Sequence, residues 1–179
     1  IGTGAEKEID NGVNMSSKGG MVWTKNRSAN DNNWIFQNVI GVGWAQKTNG
    51  NSQRFGGGPN YLTSFDNDGF TVGSNASVND DGDDIVAWTF RNSKAFQSLT
   101  YEGNGSNRTI SHDLGSVPGL ILIKAYDSTE NWRVYHKSLG PEKHLILNLS
   151  NASADSATQF NDTAPTASVF SVGTDDAVN

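Results

Sequence analysis

The 179 residues include no cysteine and carry a formal net charge of −6, with 13 basic side chains scattered along the chain. Disulfides and thiolate metal sites are excluded, and a nucleic-acid backbone would find no basic face to neutralise it. Only 35 % of the residues are apolar, and no apolar run nears the roughly 20 residues of a membrane-spanning helix, so the expectation is thin cores, no membrane insertion and no nucleic-acid partner.

With 20 glycines, abundant asparagine and only 4 prolines, the chain is suited to short strands joined by tight turns. GTGAEKEI (2–9) leads into a turn at Asn11-Gly12. MVWTK (21–25) is apolar on nearly both faces and reads as a central strand, followed by NWIFQ (33–37). A Gly- and Asn-rich stretch then carries Trp44, the Asn49-Gly50 turn, GGGP (56–59) and Tyr61. FTVG (70–73) and NDDGDD (79–84) precede VAWTF (86–90), which sets Val86, Trp88 and Phe90 on one face with a period of two. Trp23 and Trp88, on strongly patterned strands, are expected in the core. In the second half LILIK (120–124) reads as another central strand. HLILNL (144–149) places Leu145, Leu147 and Leu149 on one face, and SNASADSAT (150–158) reads as a loop.

These segments recur. GTGAEKEI matches GNGSNRTI (103–110), GGMVWTKNRS (19–28) matches PGLILIKAYD (118–127), NWIFQNVIG (33–41) matches WRVYHKSLG (132–140), and FTVGSNASVN (70–79) matches FSVGTDDAVN (170–179). Four blocks in one order at nearly constant spacing are the mark of internal duplication. The expected fold is all-β: two homologous antiparallel β-sandwich units of jelly-roll or Ig-like type, residues 1–98 and 99–179. The second lacks a counterpart of the VAWTF strand. Either the residues are a window on a longer tandem array, or a neighbour completes the second sandwich.

The blocks GGMVWTK, SFDNDGFTVG, VNDDGDDIVAWTF, YEGNGSNRTISHDLGSVPGLILIK, WRVYHKSLG and TAPTASVFSVG resemble a tandem repeat of unknown function found in tail-fibre-like structural proteins of phages, cyanophages especially. The resemblance implies a β-rich virion or appendage component and supplies no catalytic residues; an extracellular location and copies of the chain itself as partners are the expectation. The acidic NDDGDD stretch departs from that pattern.

Chemistry-bearing residues are few. Asp81, Asp83 and Asp84 cluster enough carboxylates to be calcium candidates, although the EF-hand spacing is absent and a hairpin turn explains the same residues. Otherwise no cofactor is expected. His112, His136 and His144 form no zinc pattern. Ser111, His112 and Asp113 are adjacent on one strand and so cannot converge as a triad. Trp44 and Tyr61, in loop-like sequence, are the candidates for stacking on a cell-surface glycan. Asn14, Asn26, Asn75, Asn104, Asn107, Asn148, Asn151 and Asn161 begin glycosylation sequons. The expected function is a non-enzymatic structural protein of a phage-like fibre or extracellular filament, assembling head to tail through sheet edges or strand donation; the alternative is a carbohydrate- or receptor-binding module of a tail fibre.

Overall fold

The structure, a computed structural model describing residues 1–179, is all-β: antiparallel strands with two one-turn helices. No helix is long and apolar enough to cross a membrane. The chain divides into two compact units, Ile1–Thr48 with Arg54–Ser98, and Leu99–Asn179 with Asn49–Gln53.

In the first unit the strands are β1 (Lys7–Asp10), β2 (Gly20–Asn26), β3 (Asn33–Gln37), β4 (Trp44–Lys47), β5 (Phe55–Gly56), β6 (Leu62–Phe65), β7 (Gly69–Val72) and β8 (Ile85–Arg91), with α1 at Ala76–Asn79. They form a five-stranded sheet in the order β5-β4-β3-β2-β8 and a three-stranded sheet in the order β1-β7-β6. Val22, Trp34, Phe36 and Ala45 of the larger sheet pack with Leu62, Phe70 and Val72 of the smaller, and Met15, Tyr61 and Val78 complete the cluster. Burial of such side chains is the main stabilising term, about 1.5–3 kcal/mol for each large apolar residue.

The second unit contains β9 (Arg108–Ser111), β10 (Leu120–Ile123), β11 (Arg133–His136), β12 (Lys143–Ile146), β13 (Ala154–Asp155), α2 (Ala157–Phe160) and β14 (Val169–Val172). Its sheets are β10-β11-β12-β13 and β14-β9. Ile110, Ile123, Tyr135, Phe160, Phe170, Val172 and Val178 form its core.

Strand registers coincide block by block. Val22 faces Phe36 as Ile121 faces Tyr135, and Ile35 faces Gln46 as Val134 faces Leu145. Likewise Ala45 faces Phe55 as His144 faces Ala154, and Ile9 faces Phe70 as Ile110 faces Phe170.

Several expectations are corrected. LILIK is not a central strand: β10 is the edge of its sheet. Trp88 is not core. Pairing sets Thr89 opposite Val22 and Trp88 opposite Trp23, and Trp88 and Phe90 are turned outward, 48 % and 38 % exposed, with Trp88 beside Trp23. Alternation separates two faces without saying which one meets the core. HLILNL stops as a strand at Ile146, and Leu149 is exposed. SNASADSAT is not wholly a loop, since it contains β13 and the start of α2.

Candidate functional site

Two pairings of the first unit have no counterpart in the second, that of β6 with β7 and that of β8 with β2. In the first unit, β2 is flanked on one side by β3 and on the other by β8, which pairs with it from Gly20↔Arg91 to Asn26↔Ile85. In the second, β10 pairs with β11 alone. An edge strand keeps a row of unpaired N–H and C=O groups able to template another strand. Its side chains follow suit. Val22 and Met21 are 0 % and 7 % exposed, whereas their register counterparts are half-buried Ile121 and Leu120 at 54 %.

A glycine marks the same edge. A methyl group placed on Gly20 would lie 2.1 Å from the Phe90 carbonyl oxygen, and the residue has φ +153, so the close passage of β8 demands glycine there. At Gly119, the counterpart, a methyl group would meet nothing within 4 Å and the backbone is not in the positive-φ region. Nothing within the second unit requires glycine at this position.

Behind both hairpins sits a lysine in the same role. Lys25 Nζ donates to the carbonyls of Ala29 (3.3 Å) and Asp31 (2.8 Å), and Lys124 Nζ donates to those of Ala125 and Ser128. Burial pushes Lys124 down to about 8, opposed by the nearby Glu130 and Asp127 carboxylates. Each lysine holds the turn that follows the strand, and hence the strand's end.

A second recurring device ties each unit's first turn to its last. Asn79, 1 % exposed, donates through Nδ2 to the carbonyls of Ala5 and Gly73, and its Oδ1 accepts from the Thr3 N–H at 2.9 Å. Asn179 donates to the carbonyls of Ser106 (2.6 Å) and Gly173 (2.8 Å), and accepts from the Asn104 N–H at 3.1 Å. The main-chain N–H groups of Gly4 and Gly105 bond the carbonyls of Asn79 and Asn179. The GxG turns of the sequence are therefore fastenings for an asparagine. The matching Val-Asn at 78–79 and 178–179 was the signal for it.

The second unit also holds a polar cluster where the first is apolar. Arg133 stands in the register position of Trp34 and His144 in that of Ala45. Arg133 Nε donates to Gln159 (3.0 Å), and a terminal nitrogen lies 3.8 Å from the Asp175 carboxylate. His144 is 9 % exposed; burial, reinforced by Arg133 and opposed by Asp175, lowers its pKa. The periodic pattern gave no hint of this cluster, because its members come from four separate segments.

The residues singled out from the sequence do not converge. Asp83 turns inward: its carboxylate accepts from Asn26 Nδ2 at 2.7 Å, and its carbonyl accepts from the Gly2 N–H. Asp81 and Asp84 are exposed, and no group of three His, Asp or Glu side chains is placed to hold a metal ion, so the calcium candidates are corrected to a structural turn. Tyr61 is buried, not exposed, with its ring 5.2 Å from Trp34 and 5.7 Å from Phe55. A Gly- and Asn-rich neighbourhood misled because the aromatic itself is what anchors the loop. Trp44 opens β4 and is 38 % exposed, but the Arg54 guanidinium sits over its ring at 4.4 Å. His112 is buried against Phe170 while Ser111 and Asp113 are exposed, so the three do not meet.

Among the sequons, Asn26 is corrected: it is 1 % exposed and its amide donates to Ala76 and Asp83, leaving no nitrogen to carry a glycan. Asn75 caps α1, and Asn148 bonds Asn131 and Trp132. Asn104, Asn107 and Asn151 are exposed, whereas Asn14 and Asn161 are half-buried, the latter at φ 54.

No curated protein and no solved structure matches the chain. A family described as a domain of unknown function (DUF7483) matches it over residues 1–179, and the chain belongs to that family.

Proposed function

We propose that the chain is a non-enzymatic structural protein of a phage-like fibre or extracellular filament, built from two tandem β-sandwich units and assembling through its sheet edges. One observation carries this reading: the second unit repeats strand pairings and registers of the first, so that the chain is a tandem of like β units with exposed sheet edges. The longer sheets end on unlike edge strands, β5 and β8 in the first unit and β10 and β13 in the second. Contacts between unlike surfaces are heterologous and propagate head to tail unless geometry closes a ring. The resemblance of the repeat blocks to tail-fibre-like proteins supports the same reading, as does the scarcity of convergent polar side chains. Glycan recognition has less behind it, because one candidate aromatic is stacked under a guanidinium and the other is buried.

Negative-stain electron microscopy with light scattering over a range of concentrations tests the proposal. Rods that lengthen with concentration are expected; a uniform monomer at every concentration would remove the filament reading.

A further inference from the structure

We infer that the second unit binds a small monovalent anion, chloride or a carboxylate, between Arg133 and His144 beside the edge strand β13. The first unit shows what has changed at this place. There Trp34, Phe55 and Tyr61 form an aromatic group with ring centroids 5.2 to 5.9 Å apart. Strand register matches Trp34 with Arg133, Ala45 with His144 and Phe55 with Ala154. Tyr61 is matched by Gln159, whose carbonyl accepts from the Gly173 N–H as that of Tyr61 accepts from Gly73. Three rings have given way to a guanidinium, an amide and a methyl group, and a methyl group to an imidazole. At Ala154 an exposed methyl group stands where the Phe55 ring packs on its two partners.

Arg133 and His144 share one face of their sheet. Arg133 pairs with Ile146, so His144, two residues back along β12, is its diagonal neighbour, within reach of a long side chain. Two donor atoms on this face lack an acceptor. Arg133 Nη1 and His144 Nδ1 are closed to solvent and have no hydrogen-bond partner in the chain, and His144 as a whole is 9 % exposed. Arg133 commits Nε to Gln159 at 3.0 Å. Its Nη2 lies 3.8 Å from the Asp175 carboxylate, well beyond the about 2.7–2.9 Å of a charge-assisted hydrogen bond.

A guanidinium stays charged and can only donate, so one that is buried needs acceptors close by. An anion accepts from Nη1 and Nδ1 together and offsets the charge, whereas water would accept the bonds alone. A metal cation is disfavoured by the guanidinium itself. The anion is small because the two donors are closed to solvent, and monovalent because Asp175 already supplies one carboxylate. Facing His144 are Arg133 and Tyr135 of β11, Asp175 after β14, and the neutral Ala154 and Gln159. Lys143 and Asp155 pair on the other face of β12 and β13, 3.9 Å apart. His144 is therefore the group that takes up a proton between pH 7 and pH 5, and an imidazolium donates from both nitrogens. Proton and anion favour each other's binding.

The test titrates the full chain with sodium chloride and, separately, with sodium formate, at an ionic strength held constant with sodium sulfate. The His144 ring signals in NMR spectra and the melting temperature are read together. A saturable shift of the ring signals with a rise in melting temperature is expected, at severalfold lower anion concentration at pH 5 than at pH 7. Whichever anion saturates first separates chloride from carboxylate. His144→Ala and Ala154→Phe each install the residue that the first unit carries at that place. His144→Ala should bind at least about tenfold more weakly by the melting shift, for loss of one charge-assisted hydrogen bond. Ala154→Phe should keep the ring signals and lose their response. The inference is overturned if neither anion gives a saturable shift, the outcome when water alone meets the two donors. It is equally overturned by unchanged anion affinity in a well-folded Ala154→Phe chain. Rod formation neither requires this site nor follows from it, so the filament reading stands or falls separately.

Discussion

Single residues carry more of this fold than the low apolar content suggests. Asn79 answers the buried Gly73 carbonyl, the Ala5 carbonyl and the Thr3 N–H. Replacing it with alanine leaves the buried Gly73 carbonyl and two part-buried groups without this partner, and a buried orphan costs about 1–3 kcal/mol, so Asn79→Ala should lose about 2 kcal/mol in denaturant unfolding. Asn179→Ala should lose less, because Asn179 is only half-buried. His144 makes stability depend on pH. Its folded pKa is lowered by burial first and by Arg133 second, so the unfolded chain takes up the proton more readily. The contribution is fully present above the unfolded value of about 6.5 and is lost as pH falls below that toward the depressed folded value. The urea midpoint of the parent chain should therefore drop more between pH 7 and pH 5 than that of His144→Gln. The three residues in these predictions were legible to different degrees. Asn79 and Asn179 stood out as matched ends of two blocks, but apart from Gly73 and Gly173 their partners are some seventy positions away in sequence. His144 was visible only as a histidine without a motif.

At the level of elements, the decisive object is the β2·β8 pair. Gly20→Val would drive a branched side chain into the Phe90 carbonyl and should detach the start of β2 from the end of β8. A loss of more than about 2 kcal/mol is expected, as for other overpacked sites. Thermal unfolding monitored by Trp fluorescence is a suitable readout, since Trp23 and Trp88 sit edge to face at 5.9 Å across this pair. The contrast with Gly119 shows how little a glycine reveals by itself: two aligned glycines occupy one crowded and one open environment. The strands were legible as strands, because period-two alternation and Asn-Gly or Asp-Gly turns punctuate the chain. Whether a strand lies at the centre or edge of a sheet was not, because that depends on a partner far away in sequence.

For the whole molecule, the consequence is a set of unlike sheet edges, and natural sheets usually blunt exposed edges with charge, proline or a covering segment. On β10 the side chains are Leu120, Ile121, Leu122 and Ile123, with no charge and no proline among them. Leu120→Lys places a charge at a 54 % exposed position and should leave the melting temperature within a few degrees of the parent. The same substitution should abolish concentration-dependent rods in light scattering, because a charged edge resists pairing. A Leu120→Lys chain that still forms rods would place the assembly contact elsewhere.

By itself, the sequence determined that the protein is all-β, where its most strongly patterned strands fall, and that its two halves share a pattern of blocks. These are consequences of local chemistry, in which alternation sets strand faces and Gly, Asn and Asp set turns. Tertiary structure alone decided that Trp88 faces outward, that Tyr61 is a core residue, that the acidic loop is a clasp, and that β10 is an edge. Each of those outcomes depends on which strand lies alongside. A period of two fixes the alternation of faces but not its sign, and lateral position in a sheet is set by pairing partners distant along the chain.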